Sequence, residues 1–322
     1  MDELNKIAVL YGGTSLERDI SLKSGEAVYR SILDLGYKSN LIDFKELSSI
    51  NILKKYDFIF IALHGFEGEG GELQRKLDDL NIPYSGSSSE SCFNTWNKAL
   101  TKEILRKKNI KTPNWKIVEN NHKLESLDEV SNLLPFEEYS DKESPSSLIN
   151  IFGKNESIFL KPITDGSSLD IYKVSSNKQF LESIKSSSDP NRTFMIEEAI
   201  EGREFTVTII DEKCYPPIEI ITKNQFYDYD AKYVSNETRL EKALLNNEEM
   251  EKIMEISLSA FKALNCRAWG RVDLMQNKNG EFYIIEINTV PGMTNHSCVP
   301  RSGQFAGLSF NEIVKKIINA SL

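Results

Sequence analysis

Four polar side chains toward the C-terminus, Arg271, Asp273, Glu286 and Asn288, carry the sharpest chemical signal in the chain. They lie in two apolar runs, 268–275 and 282–288, separated by Asn279-Gly280, the dipeptide that most favours a two-residue type I′ hairpin turn. With that turn Asp273 faces Glu286 and Arg271 faces Asn288. Residues two apart on a strand share a face, so all four converge on one side of the hairpin. Two carboxylates placed opposite one another repel unless positive charge lies between them. A donor set of oxygens only suits Mg²⁺ or Mn²⁺, with waters and phosphates completing the shell, and does not suit zinc. A solvated sheet face with an Arg–Glu ladder would account for the same residues, and a one-residue bulge would shift the register.

Other reactive types fall at the ends of apolar runs. Glu17 follows Gly12-Gly13-Thr14-Ser15, and His64-Gly65 follows Phe58-Ile59-Phe60-Ile61-Ala62-Leu63. Both positions match the carboxyl ends of parallel strands, where open α/β sheets bind ligands. A helix-capping Glu and an incidental His would fit equally well. The glycine loop is not G-x-G-x-x-G and no acid follows at the usual distance, which argues against a dinucleotide site. Lys161 ends the run Ile158-Phe159-Leu160 and precedes Asp165-Gly166-Ser167-Ser168. Ammonium, backbone N–H and hydroxyl donors in that order can hold phosphate oxygens, although a plain surface turn reads the same way. Glu197-Glu198 closes Phe194-Met195-Ile196 and could present backbone groups and a carboxylate to a base and a ribose.

These residues need elements to position them. Runs at 6–11, 41–42 and 58–63 alternate with helical spacing at Ser24, Ala27, Val28, Ser31, Ile32 and Leu35 and at Leu73, Leu77 and Leu80. That alternation predicts a parallel βαβ sheet, with Gly36 ending the first helix and Pro83-Tyr84-Ser85-Gly86 marking an exit. A helix with Leu100, Ile104 and Leu105 inside follows. Residues 119–156 are polar and read as a helix plus an exposed excursion. Residues 223–246 are polar with clustered tyrosines and too long for an ordinary loop, which predicts a functional lid. A helix at 247–264 and an amphipathic stretch at 309–319 complete the chain.

Length and composition bound the functional classes. The 322 residues correspond to two domains, or three small ones, at roughly 150 residues each. With 40% hydrophobic and 27% charged residues the balance is that of an ordinary globular protein. A net charge of −9 argues against a nucleic-acid or anionic-membrane surface. No apolar run is long enough to span a bilayer. Met1-Asp2-Glu3-Leu4 does not begin a leader, and the four dispersed cysteines form no C-x-x-C. The chain is therefore expected to be reduced and cytoplasmic.

Taken in order, the segments Ile7–Arg18, Ala62-Leu63-His64-Gly65 with Gly68-Glu69, Phe226–Tyr233, Trp269-Gly270-Arg271-Val272-Asp273 and Glu286–Thr294 resemble the D-alanine–D-alanine ligases of the ATP-grasp superfamily. The resemblance runs nearly end to end. It implies an α/β ATP-grasp fold with a Rossmann-like N-terminal domain over 1–86, a small central α+β domain over 87–197 and a C-terminal α/β domain over 198–322. It also implies ATP as a substrate, two Mg²⁺ or Mn²⁺ ions, D-alanine as the amino acid joined, a role in peptidoglycan precursors, and a homodimer.

The resemblance further implies residue roles. Asp273, Glu286 and Asn288 hold the metal. Lys98, Lys161 and Lys232 contact phosphates, Glu197 meets the adenine side and Glu204 the ribose. Arg271 and the Gly292 N–H stabilise an oxyanion. Glu17 binds the first ammonium, Ser167 and Tyr233 complete a hydrogen-bonded set with it, and His64 sits near the first substrate. Ser297 holds the second substrate's carboxylate. Tyr233 favours an amine as the second substrate.

The sequence also departs from the family pattern. Leu169-Asp170 stands where Val-Gly is usual, which would add negative charge near the triphosphate. Asn97 replaces an Asp, Gly70 an acidic residue and Arg75 a Gly, while Cys298 and Arg301 replace apolar residues near the second-substrate site. A ligase for another amino-acid pair, or a nucleotide-binding protein without catalysis, are the rival readings.

Overall fold

A computed structural model describes residue 4 and residues 6–118, 157–166, 170–189, 192–223 and 237–322, and the structural statements below concern these. Three sheets are present among them. The first is β2-β1-β3, parallel throughout, built from β1 (Lys6–Tyr11), β2 (Lys38–Asp43) and β3 (Phe58–Ile61). Its strands are near-continuous apolar runs because both faces are covered. One face packs on α1 (Arg18–Asp34) through Val28 and Ile32. The other packs on α3 (Glu72–Asp79) through Leu73 and Leu77. A one-turn helix, α2 (Phe66–Glu69), follows His64-Gly65.

The second sheet is antiparallel in the order β4-β7-β5-β6, from β4 (Trp115–Val118), β5 (Ile158–Pro162), β6 (Tyr172–Val174) and β7 (Phe194–Glu198). Its apolar face packs on Phe180 and Ile184 of α6 (Asn177–Ser186). The stretch 119–156, expected to hold a helix and an excursion, lies outside the described residues.

The third sheet is β11-β10-β8-β12-β13, with the short β9 (Lys213–Cys214) on β8 (Gly202–Ile210). The other members are β10 (Ile218–Ile221), β11 (Arg239–Lys242), β12 (Trp269–Asn277) and β13 (Phe282–Asn288). Phe205, Val207, Ile209, Val272, Leu274, Ile284 and Ile287 face α7 (Asn247–Ala263), which begins with a capping box between Asn246 and Glu249. The opposite face carries Thr206, Thr208, Arg271 and Asp273. Strand periodicity thus makes one face a core and leaves the other polar. The edge strand β11 at Arg239–Lys242 falls inside the 223–246 expected to form a lid, and 224–236 lies outside the described residues.

Two helices tie the sheets together. After α8 (Cys298–Phe305), α9 (Phe310–Ala320) returns to the first sheet and buries Ile313, Val314, Ile317 and Ile318 against β1, β3 and α1. Following α4 (Ser89–Trp96), α5 (Lys98–Lys107) packs Leu105 into the core of the third sheet. Its buried face is Lys98, Ala99, Thr101, Lys102 and Leu105. Leu100 and Ile104, expected inside, are only half-buried. Two lysines displace them because carboxylates from two other elements answer their charge, as described below.

The β12–β13 hairpin closes differently from the expected turn. A type I′ turn needs positive φ at both central residues, and of Asn279 and Gly280 only Gly280 has it, at +80°. The Asn277 carbonyl accepts from the Gly280 N–H at 3.0 Å, and the Asn277 N–H donates to Glu281 O at 2.9 Å. Asn277 Oδ1 accepts the N–H groups of Asn279 and Glu281, so a side chain caps a three-residue loop. That loop alone would move Glu286 to the core face. A bulge beyond Leu274, which pairs with Ile284 while Asp273 pairs with Glu286, restores the expected register where it matters. Arg271 accordingly faces Asn288.

Because α9 closes the core of the first sheet, Ile317→Ala should destabilise the protein by about 2–4 kcal/mol in urea unfolding. An unchanged midpoint would contradict the packing.

Candidate active site

Two cavities meet at the polar face of the third sheet. The larger, about 500 Å³, lies between the second and third sheets and is lined by Lys161, Glu197, Glu204, Asp273 and Glu286, among others. The smaller, about 50 Å³, lies toward the first sheet and is lined by Glu17, Glu69, Lys98, Arg271, Glu286 and Asn288, among others. Glu286 borders both, so its carboxylate stands at the wall between them. Of the fifteen residues expected in the site, these cavities gather nine.

The charges in the wall are answered locally. Arg271 donates Nε–H and an Nη2 hydrogen to the two oxygens of Asp273, each at 2.8 Å. This bidentate pair is the strong form of charge-assisted hydrogen bond. Thr206 Oγ1 adds a donor to Asp273 Oδ1 at 2.6 Å. Across the hairpin Lys98 Nζ lies 3.9 Å from Glu286 and donates to the Asp165 carbonyl at 2.5 Å. Asn288 Oδ1 accepts the Val290 N–H at 3.1 Å. Among the described residues no three His, Cys, Asp or Glu side chains cluster as metal ligands. The donors here are two carboxylates and an amide, all oxygen, and the Asp273 carboxylate already draws a cationic group to itself. That chemistry fits a hard divalent cation.

Glu17 precedes α1 but makes no side-chain capping bond, so the capping alternative fails. Its carboxylate instead lines the smaller cavity beside Gly65 and Gly166, where added Cβ atoms would lie 3.5 and 2.8 Å from Glu17 Oε2. Glu69 stands next to it. Burial, reinforced by the negative charge of Glu17, pushes the Glu69 carboxyl well above the usual carboxylate range. Glu69 falls in the His64–Glu69 segment of the family resemblance, where residue type alone assigns it no role.

His64 is a joint between two sheets. Nδ1 lies 2.9 Å from the Val290 carbonyl, which can only accept, so the ring nitrogen donates there. Nε2 then accepts from Ser24 Oγ at 3.2 Å, while that hydroxyl accepts the Met293 N–H at 3.1 Å. Burial holds the His64 pKa below its ordinary value, against the pull of Glu17, which agrees with a neutral ring. The chain from β3 to the 289–293 segment fixes the backbone that carries Gly292. A Cβ on Gly292 would lie 2.8 Å from Ser297 Oγ, so only glycine lets the two approach. Ser297 Oγ also accepts the Thr294 N–H at 3.0 Å.

Glu197 lies in the wall of the larger cavity, yet its carboxylate is committed to two buried lysines. It pairs with Lys161 and, at 2.5 Å, with Lys102. Lys102 has no sequence signal, because Leu100 and Ile104 advertise a different helix face. Ser167, Lys232 and Tyr233 lie outside the described residues.

One expectation from the departures is corrected. Asp170 does not face the larger cavity as an unanswered charge. It pairs with Arg192 at 3.3 Å and accepts from the Ser188 N–H, the Ser188 hydroxyl and Tyr172 Oη. Cys298 follows Ser297 and is buried with Ile218 and Ile220, while Arg301, whose N–H donates to the Ser297 carbonyl at 3.2 Å, is exposed with its guanidinium over Phe305 at 4.9 Å. The glycine loop after β1 spends its N–H groups internally, Gly12 on Ser21, Gly13 on Asp43 and Thr14 on Glu67, so it cradles no phosphate.

Burial raises the Asp170 pKa, but its hydrogen bonds from Ser188 and Tyr172 outweigh that and leave it lowered. A lowered folded-state pKa stabilises above the unfolded value and is lost as pH falls through the folded one. Asp170→Asn should therefore cost about 1–2 kcal/mol at neutral pH. The gap from wild type should narrow below about pH 4 in denaturant titrations; a gap independent of pH would exclude this role.

The comparisons with known proteins agree with this geometry. Residues 108–319 match the family model described as D-ala D-ala ligase C-terminus. A D-alanine–D-alanine ligase of Haemophilus ducreyi is 33% identical over 98% of this chain and 98% of its own. One of Saccharophagus degradans is 36% identical over 99% of this chain and 95% of its own. The crystal structure of the Bacillus anthracis ligase complexed with ATP superposes with a TM-score of 0.81, at 30% identity, over 98% of this chain and 97% of that one. A D-Ala:D-Ser ligase from Enterococcus faecalis shares the fold at 23% identity, with a TM-score of 0.80 over 99% of this chain and all of that one. The architecture is the ATP-grasp fold, and the chain belongs to the D-alanine–D-alanine ligase family.

Proposed function

We propose that the protein joins two D-alanines into D-alanyl-D-alanine at the expense of ATP, with the two cavities dividing the work. The observation that carries this reading is the shared Glu286 wall. Lys161 and Glu204 lie on one side of it, and Glu17, Lys98 and the Arg271 guanidinium lie on the other. ATP would occupy the larger cavity, with Lys161 toward its phosphates, Lys98 meeting the terminal phosphate from the smaller cavity across the Glu286 wall, Glu204 toward the ribose and the Glu197 end of β7 toward adenine. Lys232 belongs to the same phosphate set. The neutralised Asp170 places no uncompensated charge against the nucleotide.

In the smaller cavity Glu17 would take the ammonium of the first D-alanine, with Ser167 and Tyr233 closing over it and His64 holding the floor. The γ-phosphoryl group passes to that substrate's carboxylate, giving an acylphosphate and ADP. The amine of the second D-alanine, its carboxylate held by Ser297, attacks the acyl carbon. Arg271 and the Gly292 N–H meet the negative charge that develops on oxygen, and phosphate leaves. Asp273, Glu286 and Asn288 would hold Mg²⁺ or Mn²⁺, two ions in this reading, which when bound neutralise phosphate charge during transfer. Excluding water protects the acylphosphate from hydrolysis. The domains divide at 1–86, 87–197 and 198–322 in this scheme, and the protein works as a cytoplasmic homodimer in making peptidoglycan precursors. Among the described residues no helix is long and apolar enough to cross a membrane.

Phosphate release from ATP and Mg²⁺ should appear with D-alanine as the only amino acid. Release only with a mixed pair would redirect the second-substrate assignment, and none with any pair would refute ligation. Glu286→Ala should abolish turnover, at least about 10³-fold, while circular dichroism stays that of wild type. A collapsed variant would mark Glu286 as a structural residue.

A further inference from the structure

The most deeply buried charge outside the lining of the two cavities is Lys102. Its side chain is fully inaccessible, on the inner face of α5. Nζ donates to Thr112 Oγ1 at 2.7 Å and to the Pro113 carbonyl at 3.3 Å, and lies 5.7 Å from the centre of the Trp115 ring. Its ionic partner is Glu197, 2.5 Å away, and Glu197 pairs through its other oxygen with Lys161. Lys161 and Glu197 line the larger cavity, whereas Lys102 stands behind them.

Two lysines thus share one carboxylate, leaving one net positive charge at the cavity wall. Were Lys102 uncharged, Glu197 and Lys161 would form a closed neutral pair. We propose that Lys102 is a positioning residue for the nucleotide cleft: it supplies from behind the countercharge that Glu197 needs, so that the charge of Lys161 remains available to phosphate oxygens. This rests on reading the larger cavity as the ATP site. It gives a buried, non-contacting lysine a part in nucleotide affinity.

The surroundings make that charge conditional. Burial lowers the Lys102 pKa to about 8, against the favourable pull of Glu197 and with Lys161 opposing. The charged groups facing it are Glu197 and Glu198 from β7, Lys161 from β5, and Arg106 of its own helix, which stacks at 4.8 Å on the same Trp115 ring. Thr112 and Pro113 offer only neutral oxygens. As pH rises through that value Lys102 loses its proton, the Lys102–Glu197–Lys161 group falls from one net positive charge to neutral, and phosphate binding weakens.

Calorimetric titration of the full chain with ATP and Mg²⁺ tests this without turnover. A protein that binds ATP in this manner yet does not join D-alanine would break the ligase reading and leave this one standing. Wild-type affinity should fall about tenfold between about pH 7 and 9, the scale of one charge lost a few ångströms from the phosphate in a partly screened cleft. K102M should show the weak, high-pH value throughout, with a flat profile. E197Q, lacking the shared carboxylate, should also be flat. K102M/E197Q should regain affinity relative to K102M, because the Lys161 charge is no longer cancelled by a carboxylate. Adenosine, which has no phosphates, should bind wild type and K102M alike. A lysine that merely braces the Thr112-Pro113 turn predicts the opposite: equal losses for ATP and adenosine, and a double variant weaker than either single one. Either result overturns the proposal. If K102M does not fold, the wild-type and E197Q profiles decide, since a flat wild-type profile is incompatible with it.

Discussion

Carboxylates gathered on one sheet face repel one another, and the architecture is arranged around answering that repulsion. Asp273 and Glu286 are direct cross-strand partners. Left alone, such a pair would destabilise the hairpin that carries it. Arg271, two residues along the same strand, grips Asp273 with both arms of its guanidinium, and Lys98 reaches Glu286 from α5. The opposite face of the same strands is apolar and packed on α7, which prevents the pair from turning away. The hairpin therefore presents concentrated negative charge to a cleft and holds cations against it, the electrostatic setting in which a polyphosphate and a divalent ion would be exchanged for the protein's own counterions.

The same device recurs at the second sheet. Glu197 is almost inaccessible and would be costly as a lone ion, yet its carboxyl lies below the usual carboxylate range because Lys102 and Lys161 outweigh its burial. His64 offers a contrasting solution. There burial is met by a neutral ring that donates on one side and accepts on the other, which joins β3 to the 289–293 segment without any charge. Charged pairs hold the polar face of the third sheet and the Glu197 end of the second, and neutral hydrogen bonds hold the junction of His64 with the 289–293 segment.

How much of this was legible in the sequence depends on the residue. The pairing of Asp273 with Glu286 was correctly anticipated, but through two errors that cancel. The loop contains three residues rather than two, and Ile285 bulges to compensate. Asn277 caps the loop with its side chain, and nothing in the local alternation of residues announces the bulge. Asp170 looked like an unanswered charge because Arg192 and Ser188, which neutralise it, are remote in sequence. Cys298 and Arg301 lie close to Ser297 in sequence, but only helix phase, which the structure supplies, turns one into an apolar cluster and the other to solvent.

While short strands such as Trp115–Val118, Ile218–Ile221 and Arg239–Lys242 carried no signal, the sequence by itself determined the N-terminal βαβ order, the two-faced character of the C-terminal hairpin and the identity of most groups at its polar face. These follow from periodicity and from residue type, which are local properties. Only the tertiary structure decided which charges meet. Lys102 with Glu197, Lys98 with Glu286, His64 with Val290 and α9 with the first sheet all join segments far apart in the chain. The free energy of a buried ion depends on its partner's distance and on the water excluded around both, and no stretch of sequence contains either quantity.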